Sequence, residues 1–264
     1  MAKAPRHVLG LSGGKDSAAL AVLMHRRVPE MEYFFCDTGK ELDETYAFLE
    51  RIKARLGITI THLSPERGFD HWLDVYGGML PSPKARWCTK QLKIVPLEGF
   101  IGEDDAVTYI GIRADEHREG YVSTKPNIRA VFPFKDEGLV KADIMQLLDE
   151  SGIGMPKYYE WRSRSGCFFC FFQRKIEWVR LAEQHPDLFQ KAVDYEEQHR
   201  DGRRYTWTAD ESLTELLGRK EQIIANEERT RARTLVVQPN RPLSDVLAET
   251  LDGGEEDGCT ICHV

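Results

Sequence analysis

The chain has 264 residues, 41% hydrophobic and 30% charged, with a formal net charge of −7. This composition predicts a soluble globular chain with room for one large domain and a small appendage, and no apolar run approaches the ~20 residues of a membrane span. The acidic balance argues against a chain that grips DNA alone, because phosphate neutralisation calls for a basic face. In chain order, His7–Leu11 (HVLGL) is a short apolar run that reads as a buried strand. Asp16 and Ser17 then lead into AALAVLMHRR, of helical composition with a basic last turn. EYFFCDTG reads as a second strand closing at Asp37. In DETYAFLERIKARLG, Tyr46, Leu49, Ile52 and Leu56 recur at helical spacing and Gly57 is the stop. ITITHLSP and VTYIGIRADE read as a third and a fourth strand, the third rich in β-branched residues.

Strands alternating with helices predict a parallel sheet with right-handed crossovers, whose ligands bind outside the carboxyl ends of the strands. SGGKDS, CDTG and GIRADE all fall at such ends, which converges on one site. From about Val140 the pattern turns helical: KADIMQLLDESG, then IEWVRLAEQHPDLFQKAVDYEEQHR, then ESLTELLGRKEQIIANEERTRAR. The tail DGGEEDGCTICHV is acidic and glycine-rich, a composition of mobile ends. The expected organisation is therefore 1–139 as a nucleotide-binding α/β domain, 140–250 as a helical region and 251–264 as a flexible acidic tail. MAKAPRHVLGLSGG lacks the apolar core of a signal peptide, so a cytoplasmic location is expected. In that compartment the six cysteines are metal ligands or redox thiols rather than disulfides.

SGGKDS, Ser12 to Ser17, is close to a P-loop but departs from it. A Walker loop needs G-x-x-x-x-G-K-[ST], with a hydroxyl after the lysine to hold magnesium; here Asp16 follows Lys15. What an anion needs is still present: small residues that let backbone N–H groups approach, the positive end of the following helix, and the charge of Lys15. A ligand-free strand-to-helix turn is the bland alternative. The loop resembles the PP-loop of the adenine-nucleotide α-hydrolase superfamily, which implies ATP cleaved between its α- and β-phosphates and adenylation chemistry. By that resemblance Ser12, Gly13, Gly14, Lys15 and Ser17 bind phosphate, and Asp16 organises the loop or a magnesium ion. Asp37, Gly111 and Arg113, at the other strand ends, complete the nucleotide site. Lys15, Asp16, Asp37 and Arg113 are the catalytic candidates. Glu44 and Asp115 are weaker candidates for magnesium, with helix capping or plain exposure as the alternative.

CDTGKELDETYAFL, RWCTKQLKIVPLEGFI, GIRADEHR and GCFFCFFQRKIEW extend the resemblance, from about His7 to Phe189, to the phosphoadenosine-phosphosulfate reductase family broadly drawn. That family spans assimilatory reductases and the ATP-pyrophosphatase sulfurtransferases of Dnd-type and Ssp-type DNA phosphorothioation, and RWCTKQLK with GCFFC is more similar to the second group. Cys167 and Cys170 form a CxxC, and Cys88 is a distant third thiol. The set suits a metal or cluster, a zinc site or a redox dithiol. The resemblance implies a [4Fe–4S] cluster, with a departure: the family's Cys-Cys pair is Cys88-Thr89 here. Three cysteines leave one iron open, or Cys36, Cys259 or Cys262 completes the four, Cys262 being the ligand expected. Cys36 also reads as a buried strand thiol. Cys262-His263 faintly resembles the reductases' nucleophilic tail, and an inert tail is the alternative.

Lys84, Arg86, Lys90 and Lys93 surround Cys88, and Arg162, Arg164, Arg174, Lys175 and Arg180 flank the CxxC. They are candidates for phosphate or sulfonucleotide, against the commoner solvated face. Phe168, Phe169, Phe171 and Phe172 suit either the shield of a cluster or ordinary core. The resemblance thus implies an ATP pyrophosphatase that activates an acceptor for sulfur transfer, with DNA as acceptor and partners in a cysteine desulfurase and DNA-handling proteins. Nucleic acid enters only within such a complex. The rivals are a phosphoadenylyl- or adenylyl-sulfate reductase, a tRNA thiolase and a nucleotide or redox sensor.

Overall fold

A computed structural model of the chain describes residues 3–117, 120, 123–197 and 204–235. Five strands form one parallel sheet: β1 (Arg6–Gly10), β2 (Glu32–Cys36), β3 (Ile60–Leu63), β4 (Ala106–Tyr109) and β5 (Ile128–Val131), in the order β3-β2-β1-β4-β5. Leu9 lies opposite Tyr33 on one side and Tyr109 on the other. In β2, Tyr33 to Cys36 are all buried, and all four residues of β4 are. Continuous burial is what a strand covered on both faces shows, and it explains why EYFFC is apolar at consecutive positions rather than alternate ones. The chain leaves β1 for β2, then returns past β1 to β4, so the order reverses at β1, where an open α/β sheet forms its ligand crevice.

Helix α1 (Lys15–His25) follows β1 and buries Ala18, Ala19, Leu20, Ala21 and Met24. Three alanines in that face let the helix axis approach the sheet closely. Helix α2 (Asp43–Leu56) buries Phe48, Leu49 and Ile52 and ends at Gly57 in the left-handed conformation, φ +66, the stop that a glycine provides without steric cost. Next come α3 (Phe69–Val75), α4 (Trp87–Thr89), a π-helical turn (Lys90–Ile94) and α5 (Val95–Ile101). After β5 stand α6 (Pro133–Asp136), α7 (Lys141–Ser151) and a 3-10 turn (Lys157–Glu160). The core of this part joins Leu9, Leu20, Phe35, Phe48, Tyr109 and Phe134 with Ile144 and Leu148 of α7.

Two compact units emerge: Met1–Trp72 with Arg86–Cys167, and Leu73–Ala85 with Phe168–Gly258. Helix α7 packs on α1 in the first unit, so the division falls inside the CxxC rather than at residue 140. The second unit carries α8 (Lys175–Gln184), α9 (Pro186–Glu197), α10 (Leu213–Gly218) and α11 (Lys220–Leu235). Its centre is aromatic: Phe169 stacks on Trp207 at 5.1 Å and meets Tyr195 edge-on at 5.2 Å. The buried Glu196 carboxylate accepts from the backbone N–H of Trp207 and of Leu213, at 2.9 and 2.8 Å. Among the described residues no helix is long and apolar enough to cross a membrane.

Candidate functional site

The SGGKDS loop leaves the carboxyl end of the central strand β1 and opens α1, as the spacing predicts. Gly14 is the N-cap residue of α1 and has no side chain of its own to cap the helix. A helix start behind a small-residue loop, with the positive end of its dipole at the strand ends, is the arrangement that binds anions. Gly13 has φ +74, and a Cβ there would stand 2.4 Å from Thr45 Cγ2. A Cβ on Gly14 would stand 2.8 Å from Ser165 Oγ. Both glycines are required by close approach, and Gly13 by its backbone conformation as well. Ser17 Oγ accepts from the Ser12 N–H at 3.1 Å and donates to the Gly14 carbonyl at 3.1 Å, stapling the turn from inside.

Residues far along the chain hold this loop in shape, and sequence reasoning did not single them out. Tyr158 Oη donates to the Gly13 carbonyl at 2.6 Å, Tyr159 Oη accepts from the Lys15 N–H at 3.4 Å, and Ser165 Oγ donates to Ser12 Oγ at 3.4 Å. The pair of tyrosines had no signal beyond being consecutive aromatics in a polar stretch. The Lys15 ammonium sits 5.1 Å from the Tyr159 ring centroid and 3.3 Å from Asp16 Oδ2. Burial pulls the Lys15 pKa down, but Tyr159 and Asp16 outweigh it and the net shift is upward. Lys15 keeps its charge at the mouth of the anion cradle.

Asp16 is buried, with Lys15 on one side and Arg113 Nη1 at 2.8 Å on the other. Arg113 also reaches Asp115 at 2.9 Å through Nε and Glu116 at 2.7 Å. Burial works against its charge, and Asp16, Glu116 and Asp115 outweigh it to raise the pKa. Arg113, expected as a phosphate ligand, is thus placed as the clamp that fixes Asp16. Gly111 has a packing role: a Cβ would stand 3.1 Å from the Asp16 carbonyl oxygen. Asp37 Oδ1 accepts from the Gly39 N–H at 2.9 Å and from Tyr46 Oη at 2.7 Å, and Oδ2 lies 3.3 Å from His62 Nδ1. It organises the turn after β2.

A crevice at these strand ends is lined by Ser12, Cys36, Glu41, Lys93, Ser165 and Gly166, among others. Burial pushes the Cys36 thiol up to about 12, with Lys93 opposing, so Cys36 stays protonated at neutral pH. Cys167 Sγ lies 3.2 Å from Thr38 Oγ1 and donates to Glu41 Oε1 at 3.7 Å. The buried Arg162 holds the loop carrying it, donating to the carbonyls of Gly166 and Cys167 at 3.0 and 2.8 Å.

Among the described residues no group of three or more His, Cys, Asp or Glu side chains is gathered to hold a metal ion. The Cys167 thiol is instead engaged with a hydroxyl and a carboxylate, while Cys88 and Cys170 are half-buried thiols. Cys259 and Cys262, with the tail, lie outside the described residues. Three of the basic residues flanking the CxxC are paired with acids: Arg174 with Glu177 and Glu227, Lys175 with Glu211, and Arg180 with Glu183. Phe168 and Phe169 are core residues of the second unit.

Comparison with known proteins agrees with this geometry. The model of the phosphoadenosine phosphosulfate reductase domain matches residues 6–170. An uncharacterised protein of Methanocaldococcus jannaschii is 29% identical over 210 residues, covering 73% of this chain and 42% of that protein. A second from the same organism is 24% identical, covering 69% and 46%, so the chain spans about half the length of these curated relatives. The adenosine 5′-phosphosulfate reductase of Halalkalibacterium halodurans is 30% identical over 110 residues, 41% of this chain and 47% of that enzyme. The crystal structure of phosphoadenylyl-sulfate reductase from Candida auris superposes with a TM-score of 0.50 at 14% identity, covering 62% of this chain and 82% of that one. The fold is that of the PP-loop adenine-nucleotide α-hydrolases, and with the matched domain spanning the whole sheet and the cradle at its carboxyl edge, the chain belongs to the phosphoadenosine phosphosulfate reductase domain family.

Proposed function

We propose that the chain is an ATP pyrophosphatase that activates an acceptor for sulfur transfer, and that it serves as the sulfur-incorporating component of DNA backbone phosphorothioation. The observation that carries this reading is the N-terminus of α1 behind a small-residue loop, with a charged Lys15 at its mouth. That cradle offers backbone N–H groups and one ammonium to a diphosphate, and lacks the hydroxyl after the lysine that a γ-phosphate-transferring loop uses. In the proposed reaction an acceptor phosphate oxygen attacks the α-phosphorus and the bond to pyrophosphate breaks. Lys15 and the helix dipole hold the charge on the departing pyrophosphate. A sulfide-level sulfur then displaces AMP, leaving sulfur in place of the activated oxygen, with no net oxidation. Magnesium arrives with the nucleotide, held mainly by phosphate oxygens and water as is usual for that ion.

Cys167, seated against Thr38 and Glu41, is a thiol beside the crevice. A cysteine desulfurase would supply sulfur as a persulfide, a thiol reductant would give the two electrons that bring it to the sulfide level while the thiols become a disulfide, and partner proteins would present the DNA that a chain of charge −7 does not hold alone. A second reading, reduction of a sulfonucleotide by thiols, is favoured by the relative named adenosine 5′-phosphosulfate reductase.

One experiment separates them. Anaerobically purified protein is given ATP and magnesium, and separately adenylyl sulfate or phosphoadenylyl sulfate with reduced thioredoxin. The expected result is pyrophosphate and AMP from ATP, lost by about 10²-fold or more in Lys15→Ala, and no sulfite. Sulfite release without pyrophosphate would replace the first reading by the second.

A further inference from the structure

Tyr158 is fully buried, and its ring stacks on that of Tyr159 with 4.9 Å between centroids. A phenylalanine would pack there without burying a hydroxyl, so the phenol oxygen is present for what it bonds. It bonds the Gly13 carbonyl, at 2.6 Å. A carbonyl only accepts, so the phenol proton lies on this bond. Burial pushes the Tyr158 pKa well above its ordinary value, which keeps that proton in place.

The Gly13 carbonyl and the Gly14 N–H belong to one planar trans peptide and point in opposite directions. Fixing one therefore fixes the other. The Gly14 N–H falls on the side of Ser12, whose Oγ it meets at 3.4 Å, and Ser12 lines the crevice. This peptide lies between two glycines, Gly13 at φ +74 and Gly14 at φ −95, so no Cβ of its own opposes its rotation. The next peptide is held by the start of α1: the Gly14 carbonyl accepts from Ser17 Oγ at 3.1 Å and from the Ala18 N–H at 3.2 Å. Among the described residues, the long contact with Ser12 is all that ties the Gly13–Gly14 peptide besides Tyr158. A flipped peptide would put a carbonyl oxygen where an N–H stood, and an attraction for phosphate would become a repulsion.

We propose that Tyr158 is the positioning residue of the anion cradle: its hydroxyl holds the Gly13–Gly14 peptide in the orientation that presents the Gly14 N–H, and not the Gly13 carbonyl oxygen, to the phosphates of the bound nucleotide. This rests on the nucleotide reading above and deepens it.

The test compares the full chain with Tyr158→Phe, a change of one buried oxygen, by calorimetric titration with inorganic pyrophosphate and by the amide NMR resonance of Gly14. The wild type is expected to bind pyrophosphate and to shift its Gly14 amide proton on doing so. In Tyr158→Phe binding should weaken about tenfold, the equivalent of one hydrogen bond, and the Gly14 proton should respond less. A tyrosine that only packs would lower the melting temperature and leave the affinity of the folded chain and the Gly14 response unchanged. That result overturns the proposal while the nucleotide reading stands. A wild-type Gly14 amide that does not respond to bound pyrophosphate overturns it too, even if the variant does not fold. If the wild type binds no pyrophosphate, the reading of the loop as a diphosphate cradle falls and the proposal with it.

Discussion

At the scale of single residues, the PP-loop is built from positions that tolerate no substitute for different reasons. Gly13 is strained for any L side chain at φ +74 and also meets Thr45 Cγ2. Gly13→Ala is expected to cost about 1–3 kcal/mol and to abolish nucleotide binding. Adding Thr45→Ser removes the clashing methyl and should recover only part of the stability, as read by denaturant titration; full recovery would mean that the backbone conformation carries no strain. Asp16 and Arg113 make the complementary case. Arg113→Met leaves the buried Asp16 carboxylate without its arginine, and should lose about 3–5 kcal/mol, while Arg113→Met with Asp16→Asn should recover much of that. If the double variant is as unstable as the single one, the ion pair is not the source of the loss. The sequence identified both residues but not their relation. Arg113 sits just past a strand end like a ligand, and only the three carboxylates around it show that its charge is already committed.

Among the elements, four strands and the helices around them were legible because each has its own periodicity or a continuous apolar run. The fifth strand, β5, was not: Ile128–Val131 is four residues long, and Arg129 interrupts its apolar character. The long helix read from IEWVRLAEQHPDLFQ is two, α8 and α9. His185 leaves the helical conformation at φ −137, the restriction that the following Pro186 imposes on the residue before it. The third predicted helix breaks at Arg219, where φ is −116. That break is functional for packing, since Arg219 turns to pair with Glu211, which also reaches Lys175 at the start of α8 at 3.0 Å. Arg219 and Lys175 lower the Glu211 pKa to about 2 from an ordinary value of 4.5. The folded-state value is depressed, so the stabilisation is fully present above about pH 4.5 and is lost as pH falls toward 2. Glu211→Gln should therefore lower thermal stability at pH 7 and bring the two proteins together at pH 2. A constant difference across that range would exclude the pair as the cause.

For the molecule as a whole, composition and topology agree on a site at the carboxyl edge of a parallel sheet, and this much was readable without coordinates. The arrangement of thiols was not. CxxC and RWC look alike whether they hold iron or not, and only three-dimensional placement tells that Cys167 is spent on Thr38 and Glu41. Nor was the boundary between the two units, which passes through the CxxC between Cys167 and Phe168, since no linker composition marks it. Net charge has a direct consequence at this scale. The purified chain should show no retention of labelled duplex DNA at about 0.15 M salt in an anisotropy titration. Measurable binding with a steep salt dependence would show a basic face that the balance of −7 conceals.

The tie between Tyr158 and Gly13 joins positions 145 residues apart. During synthesis at about 5–20 residues per second, the loop emerges roughly 7–30 s before the tyrosine that shapes it. For that interval the nascent chain has its first strand but no finished cradle, so a ribosome-bound fragment ending before Tyr158 should not be retained on immobilised nucleotide. A cell thus acquires this cradle late in translation, and any stall in between leaves an incomplete product that lacks it.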